Sequence, residues 1–260
     1  DAFLSLCYSR GAMRLIRLMV ILAVLACAAT ASAGESCRKV QHLGNGYTVC
    51  SFDPASDDIQ IFQNDRSGRP YGSFRALEND LRQDRIYVRF AMNGGMYLDD
   101  QSPVGLFIEN GREVKAINTN KGWGNFHLLP NGVFYLGSGE AGVMESKAFA
   151  ASGIKPFYAT QSGPMLVVDG KLHPSFLADS TSLKTRNGVG VTADGKVVFA
   201  ISDGPVRFHD FATLFRDDLK CPNALFLDGS ISSLDIPEWQ RRDSLFPLGP
   251  IIAVTEMLPG

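Results

Sequence analysis

The run Cys221-Pro222-Asn223-Ala224-Leu225-Phe226-Leu227-Asp228-Gly229-Ser230-Ile231-Ser232-Ser233-Leu234 decides how the rest of this 260-residue chain is read. Its first half is an almost unbroken apolar stretch between Pro222 and Asp228-Gly229, the pattern of a strand buried on both faces. Such a strand carries a carboxylate, Asp228, to its own end. Gly229 follows at once, and a residue without a Cβ lets the main chain approach a ligand closely; hydroxyls then stand at Ser230, Ser232 and Ser233. Asp-Gly is also ordinary turn chemistry, so the acid reads as part of a site only if other segments converge on it.

Upstream, residues 208–219 place Phe211, Leu214, Phe215 and Leu219 on one stripe, an amphipathic helix that feeds into the strand. Ser202-Asp203-Gly204-Pro205 is a strand exit. Thr185-Arg186-Asn187-Gly188-Val189-Gly190-Val191-Thr192 leads through Asp194-Gly195 into the apolar strand 197–201, a hairpin with Arg186 near its beginning. Small apolar neighbours make Arg186 readable as a fixed guanidinium facing an anion, and a solvated surface charge is the other reading. Residues 157–170 read as strand, kink, strand, where the interruption Gln161-Ser162-Gly163-Pro164 marks a bulge that turns donors toward a cleft. Residues 86–97 form a strand ending in Asn93-Gly94-Gly95. Asn93 can serve a ligand hydroxyl, and uncovered glycine amides can hold an anion as backbone nests do, although Asn-Gly is equally a hairpin turn.

The other segments complete an α+β fold, a strand-rich mixed sheet with a few covering helices. Strands are expected over 47–52 and 57–62, an amphipathic helix over 74–85, a strand and hairpin turn over 102–111, a hairpin around Pro130-Asn131-Gly132, and a short helix over 143–151. The polar, glycine-rich loop 118–126 holds Trp123, available for stacking on a sugar ring or packed at the rim of the core.

Residues 14–33 have the build of a secretory signal: basic Arg14 and Arg17, an apolar middle, and Ala31-Ser32-Ala33 as a cleavage site. This divides the chain into a leader and signal peptide, 1–33, and one domain, 34–260. The product is expected to be exported, periplasmic or secreted, with lipid attachment at Cys27 as the alternative. No stretch has the length for a stable membrane span, and a formal net charge of -2 gives no electrostatic reason to expect nucleic acid. In an oxidising compartment Cys37 and Cys50 would close a loop around Gly44-Asn45-Gly46, with Cys221 buried as a small apolar residue. The absence of CxxC and the scatter of His42, His127, His173 and His209 argue against structural zinc.

Four glycine-bearing strand exits in this order resemble the phosphodiester glycosidase family over roughly residues 85–255. Asn93-Gly94-Gly95-Met96-Tyr97 is similar to the family's Asn-(Ala/Gly)-Gly-Phe turn, and Gln161-Ser162-Gly163-Pro164-Met165-Leu166 to its Ser-Gly segment. Arg186-Asn187-Gly188-Val189-Gly190 is similar to Arg-Thr-Ala-(Val/Ile)-Gly, and Phe226-Leu227-Asp228-Gly229-Ser230-Ile231-Ser232 in part to Asn-Leu-Asp-Gly-Gly-Gly-Ser. Ser230 and Ile231 stand where the family has glycines, and Asn187 where it has a smaller residue, which implies a pocket of different shape.

The resemblance implies hydrolysis of a sugar-1-phosphodiester, with a carbohydrate phosphodiester as the partner. Arg186 and the amides near Gly94-Gly95 and Gly163 would clamp the phosphate. Asp228 would be the catalytic carboxylate, whether as stabiliser of an oxocarbenium-like state, nucleophile or activator of water. Asp203, which ends a strand just before the helix leading to Asp228, is the preferred second carboxylate over Glu109 and Glu140. Asn93, Gly94, Gly95, Gln161, Ser162, Gly163, Asn187, Gly229 and Ser230 would meet the substrate. No cofactor is required, and there is room for a divalent metal near Asp203 and Asp228 without a ligand spacing that demands one. The altered Ser230-Ile231 pair favours the alternative of a binding module for sugar-phosphate polymers without turnover. A serine hydrolase using Ser162 or Ser230 lacks the Gly-x-Ser-x-Gly context.

Overall fold

Three antiparallel sheets make up the body of the chain, whose computed structural model describes residues 36–229 and 231–259. The leader, the signal peptide with Cys27, and Ser230 lie outside the described residues. From edge to edge the largest sheet runs β1 (Cys37–His42), β2 (Asn45–Phe52), β13 (Val197–Ser202), β12 (Asn187–Val191), β14 (Asn223–Asp228), β10 (Met165–Val168), β11 (Lys171–Leu172). The second runs β16 (Arg241–Arg242), β15 (Leu234–Ile236), β4 (Ile86–Asn93), β17 (Ile251–Met257), β3 (Asp58–Phe62). The third runs β6 (Arg112–Lys115), β5 (Phe107–Glu109), β9 (Tyr158–Ser162), β7 (Gly132–Leu136), β8 (Ala141–Glu145).

Strand β14 is interior, and its two faces enter different cores. Leu225 and Leu227 join Phe90, Val189, Phe199, Leu234 and Ile252 between the sheets, while Ala224 and Phe226 pack with Phe211 and Phe215 of the helical segment outside. Covering on both sides is the reason the segment is apolar throughout. Instead of the mixed sheet expected from the sequence, every strand pairing among the described residues is antiparallel. The helix Phe208–Thr213 does connect two strands of like direction, β13 and β14, but β12 lies between them and bonds antiparallel to both. That helix continues as a π turn over Leu214–Asp218. Gly190 lets it approach the sheet, since a Cβ there would lie 2.9 Å from Phe215 Cδ1. Cys221 is buried, which pushes its thiol up to about 12 and leaves it an apolar packing group.

The helix Phe74–Gln83 starts at Ser73, whose hydroxyl accepts from the Ala76 amide at 3.2 Å, and lays Phe74, Leu77 and Leu81 on Val88, Ala91 and Ala253 of the second sheet. Cys37 and Cys50 face each other across β1 and β2 and are disulfide-bonded, with Cα atoms 4.0 Å apart. Among the described residues no helix is long and apolar enough to cross a membrane.

Two local expectations are corrected. The stretch around Pro130-Asn131-Gly132 is not a hairpin, because the Asn131 side chain is drawn inward to donate to Phe126 O at 2.9 Å and β7 pairs with β8 and β9 instead. The expected helix over 143–151 begins later, at Ser146–Ser152, where Glu145 caps it by accepting from the Ala148 amide. The kink at Gly163-Pro164, a cis peptide, does more than bend a strand: β9 before it belongs to the third sheet and β10 after it to the largest. The third sheet is thereby tied to the end of β14.

Candidate active site

Asp228 stands at the end of β14, where the ladder to β12 slips. Asn187 lies opposite Asp228 and Gly188 opposite Phe226, so Leu227 is the extra residue of a bulge. The carbonyl of Leu227 accepts the Ser162 hydroxyl at 2.8 Å. The Asp228 amide donates to Asn187 Oδ1 at 2.9 Å, and Asn187 Nδ2 donates in turn to Asn93 Oδ1 at 2.8 Å and to Asn93 O at 3.1 Å. Asn93 Oδ1 also accepts the Ser233 amide at 2.8 Å, and the Ser232 hydroxyl reaches Asp228 O at 2.9 Å and Asn187 Oδ1 at 3.3 Å. Two asparagines therefore fasten the acid and the loop after it to the end of β4 in the neighbouring sheet. Asn93 Nδ2 is buried and has no partner among the described residues.

Asn187→Ala would take this partner from the Asp228 amide and from Asn93 O, each worth about 1–3 kcal/mol when left unpaired. Allowing for relaxation, a loss of roughly 3 kcal/mol in urea unfolding is expected, and a loss below about 1 kcal/mol would show that other contacts hold the loop.

Burial raises the Asp228 carboxyl to about 6, against a smaller opposing pull from the Gly229 and Ile231 amides. Tyr97 stands near it. Its phenol is raised first by burial and then by the Asp228 charge, its hydroxyl donates to Pro247 O, and its ring packs where Gly249 leaves no Cβ. Tyr97 was not singled out from the sequence, although an aromatic two residues beyond Gly95 was a signal for it.

Arg186 is 1 % exposed. Its guanidinium carbon sits 3.5 Å from the centroid of Phe208 and 5.7 Å from that of Phe226, Nε donates to Val206 O at 2.9 Å, and Nη2 to Ser182 O at 3.2 Å. Among the described residues no carboxylate pairs with it, and Nη1 has no hydrogen-bond partner. Burial alone draws its pKa down to about 10. The turn after Asp228 lies beside this group, because a Cβ at Gly229 would be 3.5 Å from the Phe226 ring and 3.9 Å from Thr185 O. Phe208, the shelf under the guanidinium, was read in the sequence only as the start of a helix.

Several predicted substrate contacts are occupied by the scaffold, which corrects the expectation that their donors face a cleft. Gln161 Oε1 accepts from Leu106 N and Asn118 N at 2.9 and 2.8 Å, and its Nε2 donates to Asn118 O and Ser146 Oγ at 2.8 and 2.9 Å, which saturates the side chain. Ser162, 0 % exposed, gives its proton to Leu227 O and has none to spare as a nucleophile. The Gly94 amide donates to Pro250 O at 2.6 Å. Gly95, at φ +152, clears Thr160 Oγ1, and Gly163 clears Asn131 and Phe126. Buried polar groups find internal partners wherever geometry allows, and here it does.

Asp203 is at the same end of the sheet, two strands from Asp228, or about 10 Å at the usual strand spacing. Its carboxylate accepts from Lys39 Nζ at 2.8 Å and Thr48 Oγ1 at 3.1 Å, with Arg241 Nη1 at 3.8 Å. Glu109 belongs to the third sheet, where burial raises its pKa, and Glu140 is exposed in the β7–β8 turn. Among the described residues no three His, Cys, Asp or Glu side chains gather as a metal site. The arrangement thus offers a desolvated acid, a buried cation with no carboxylate partner among the described residues, and an aromatic residue around one strand end.

The family model described as phosphodiester glycosidase matches residues 87–235. The uncharacterized protein YigE of Escherichia coli strain K12 is 37 % identical over 213 residues, 80 % of each chain. Among solved structures, the zebrafish N-acetylglucosamine-1-phosphodiester alpha-N-acetylglucosaminidase catalytic domain, auto-inhibited by its pro-peptide, aligns with a TM-score of 0.60 at 13 % identity, over 84 % of this chain and 81 % of that one. A candidate exported protein of Burkholderia pseudomallei K96243 aligns with a TM-score of 0.52 at 12 % identity, over 83 % and 74 %. At such identities the structural likeness speaks for the fold.

Proposed function

Because the chain belongs to the phosphodiester glycosidase family, we propose that it is an exported hydrolase of a sugar-1-phosphodiester, with Arg186 anchoring the phosphate and Asp228 as the catalytic carboxylate. The observation that carries this reading is the buried guanidinium that has no acid paired with it among the described residues. A buried cation without a counter-charge is costly, and a substrate phosphate would supply the missing anion.

In the proposed reaction the sugar C1–O bond breaks with both electrons going to the phosphate oxygen, so the phosphomonoester leaves as an anion on Arg186 and needs no proton. Positive charge grows at C1 beside Asp228, which at neutral pH is mostly ionised and stabilises it; water then adds to C1 and gives up a proton to solvent or to Asp228. Asn93 and Asn187 hold the acid in place, Gly229 edges the substrate space, and Asp203 is retained as a more distant second carboxylate. No step calls for a cofactor. Export is supported by the Cys37–Cys50 disulfide together with the signal-like sequence before Gly34.

The test is to offer the purified chain a panel of methyl-phosphodiesters of hexose 1-phosphates, N-acetylglucosamine included, beside the matching neutral glycosides. Release of sugar and methyl phosphate is expected from the diesters, with at least about a hundredfold preference over neutral glycosides, the scale of one fixed electrostatic contact. Saturable binding with no release across the panel would replace the enzyme with a sugar-phosphate binding module, the reading that Ile231 after the acid favours.

A further inference from the structure

In the loop that follows Asn118, Trp123 is 98 % exposed, the most exposed large hydrophobic side chain among the described residues. The loop that carries it is braced on both sides. On one side Asn118 exchanges two hydrogen bonds with Gln161, both 2.8 Å, and its Nδ2 donates to Val104 O at 3.1 Å. On the other, His127 Nδ1 is 2.9 Å from Asn120 O, its ring fills the place of a Cβ at Gly122, and Phe126 is buried. An indole held out by a fastened loop loses little conformational entropy when it binds, unlike one on a loose tip.

The footing of the loop is also the footing of the site. Gln161 precedes Ser162, which bonds Leu227 next to Asp228, and a Cβ at Gly163 would be 3.4 Å from Asn125 O. The loop therefore abuts the bend that holds the end of β14, and Trp123 lies two residues before the point of contact, a span of at most about 7 Å.

We propose that Trp123 is a stacking platform for a second saccharide ring, and that the substrate is an oligomeric or polymeric glycan phosphodiester instead of a single sugar diester. This rests on the hydrolase reading and deepens it. A pyranose has an apolar C–H face that matches an indole and hydroxyls that suit the exposed Lys121 and Asn125 on either side. A lipid surface fits less well, because Trp123 has polar and glycine neighbours in place of the further apolar and basic residues that interfacial anchoring needs.

The experiment uses the Asp228→Asn chain, so that binding is read without turnover. Trp239 is the other of two tryptophans, and Trp239→Phe makes Trp123 the sole emitter; the unaltered Trp239 chain serves as the control for folding. Oligomers of N-acetylglucosamine, glucose and mannose, one to six units long, are titrated while acrylamide quenching is measured. One series is expected to shield Trp123 and to bind about tenfold more tightly as an oligomer than as a monomer, and Trp123→Ala, whose binding is followed by titration calorimetry because it keeps no emitter, should abolish that gain. The proposal is overturned if no series shields the indole, if Trp123→Ala keeps the gain, or if phosphatidylglycerol vesicles shield it while oligomers do not. Shielding by oligomers in a chain that releases no sugar from any diester would refute the hydrolase and leave the platform standing.

Discussion

Asp228→Asn is expected to lower phosphodiester turnover by about a hundredfold or more and, in the same protein, to raise stability at neutral pH. Both effects follow from one property of the side chain. Its carboxyl lies at about 6 in the folded chain against an ordinary 3.8, because burial penalises the ionised form. A carboxylate with a raised folded-state pKa adds no penalty below about pH 4, where both states hold the proton. The penalty grows between the two values and is complete above about pH 6. At about 1.4 kcal/mol per unit the two-unit shift amounts to roughly 3 kcal/mol, and asparagine, which keeps an acceptor for the Gly229 amide, removes most of it. Urea unfolding at pH 7.5 should therefore show a gain of about 1–3 kcal/mol that disappears near pH 4. An equal gain at both pH values would mean that the acid is not desolvated as described. For the unsubstituted chain, turnover should fall with acidification through about pH 6 as Asp228 takes up its proton.

Arg186→Met is the second large effect, chosen to separate binding from packing. Methionine follows the same channel over Phe208 without a charge, so the desolvation cost goes while most of the volume stays. Val206 O, which accepts from Nε, also accepts from Lys184 N at 3.2 Å and is not left bare. Stability should consequently change by no more than about 1–2 kcal/mol in either direction, in contrast to the 2–5 kcal/mol usual for emptying a core position with alanine. Hydrolysis of anionic diesters should fall by about a hundredfold or more, and binding of neutral sugars should hardly move. Equal losses on charged and neutral ligands, or a loss of stability above about 3 kcal/mol, would make Arg186 a structural pillar and take away the phosphate anchor.

The split between stability and activity in these two substitutions has a common origin. The main core holds ordinary apolar pairs, whereas the end of β14 brings together an acid raised by burial and a cation without a carboxylate partner among the described residues. Groups arranged against their own solvation persist where surrounding contacts over-determine them. Here the over-determination is the Asn93–Asn187 frame, and Asn187→Ala tests it from the other direction.

What the order of residues determined by itself was everything that depends on near neighbours. The doubly buried strand before Asp228, the helix that covers it, the Asp194-Gly195 hairpin and the Cys37–Cys50 pairing all follow from periodicity, turn chemistry or short loop closure. The α+β class follows from their sum. Tertiary structure alone decided which partner each polar group would take. Gln161, Ser162 and the Gly94 amide look like ligand donors along the chain, and Asp203 like a free acid, until the register of distant strands brings carbonyls, hydroxyls and cations against them. The same long-range packing put Phe208 under Arg186 and left that guanidinium without a counter-ion among the described residues. A side chain's period is written in its neighbours, but its hydrogen-bond partner lies many residues away, and only closure of the sheets brings the two together.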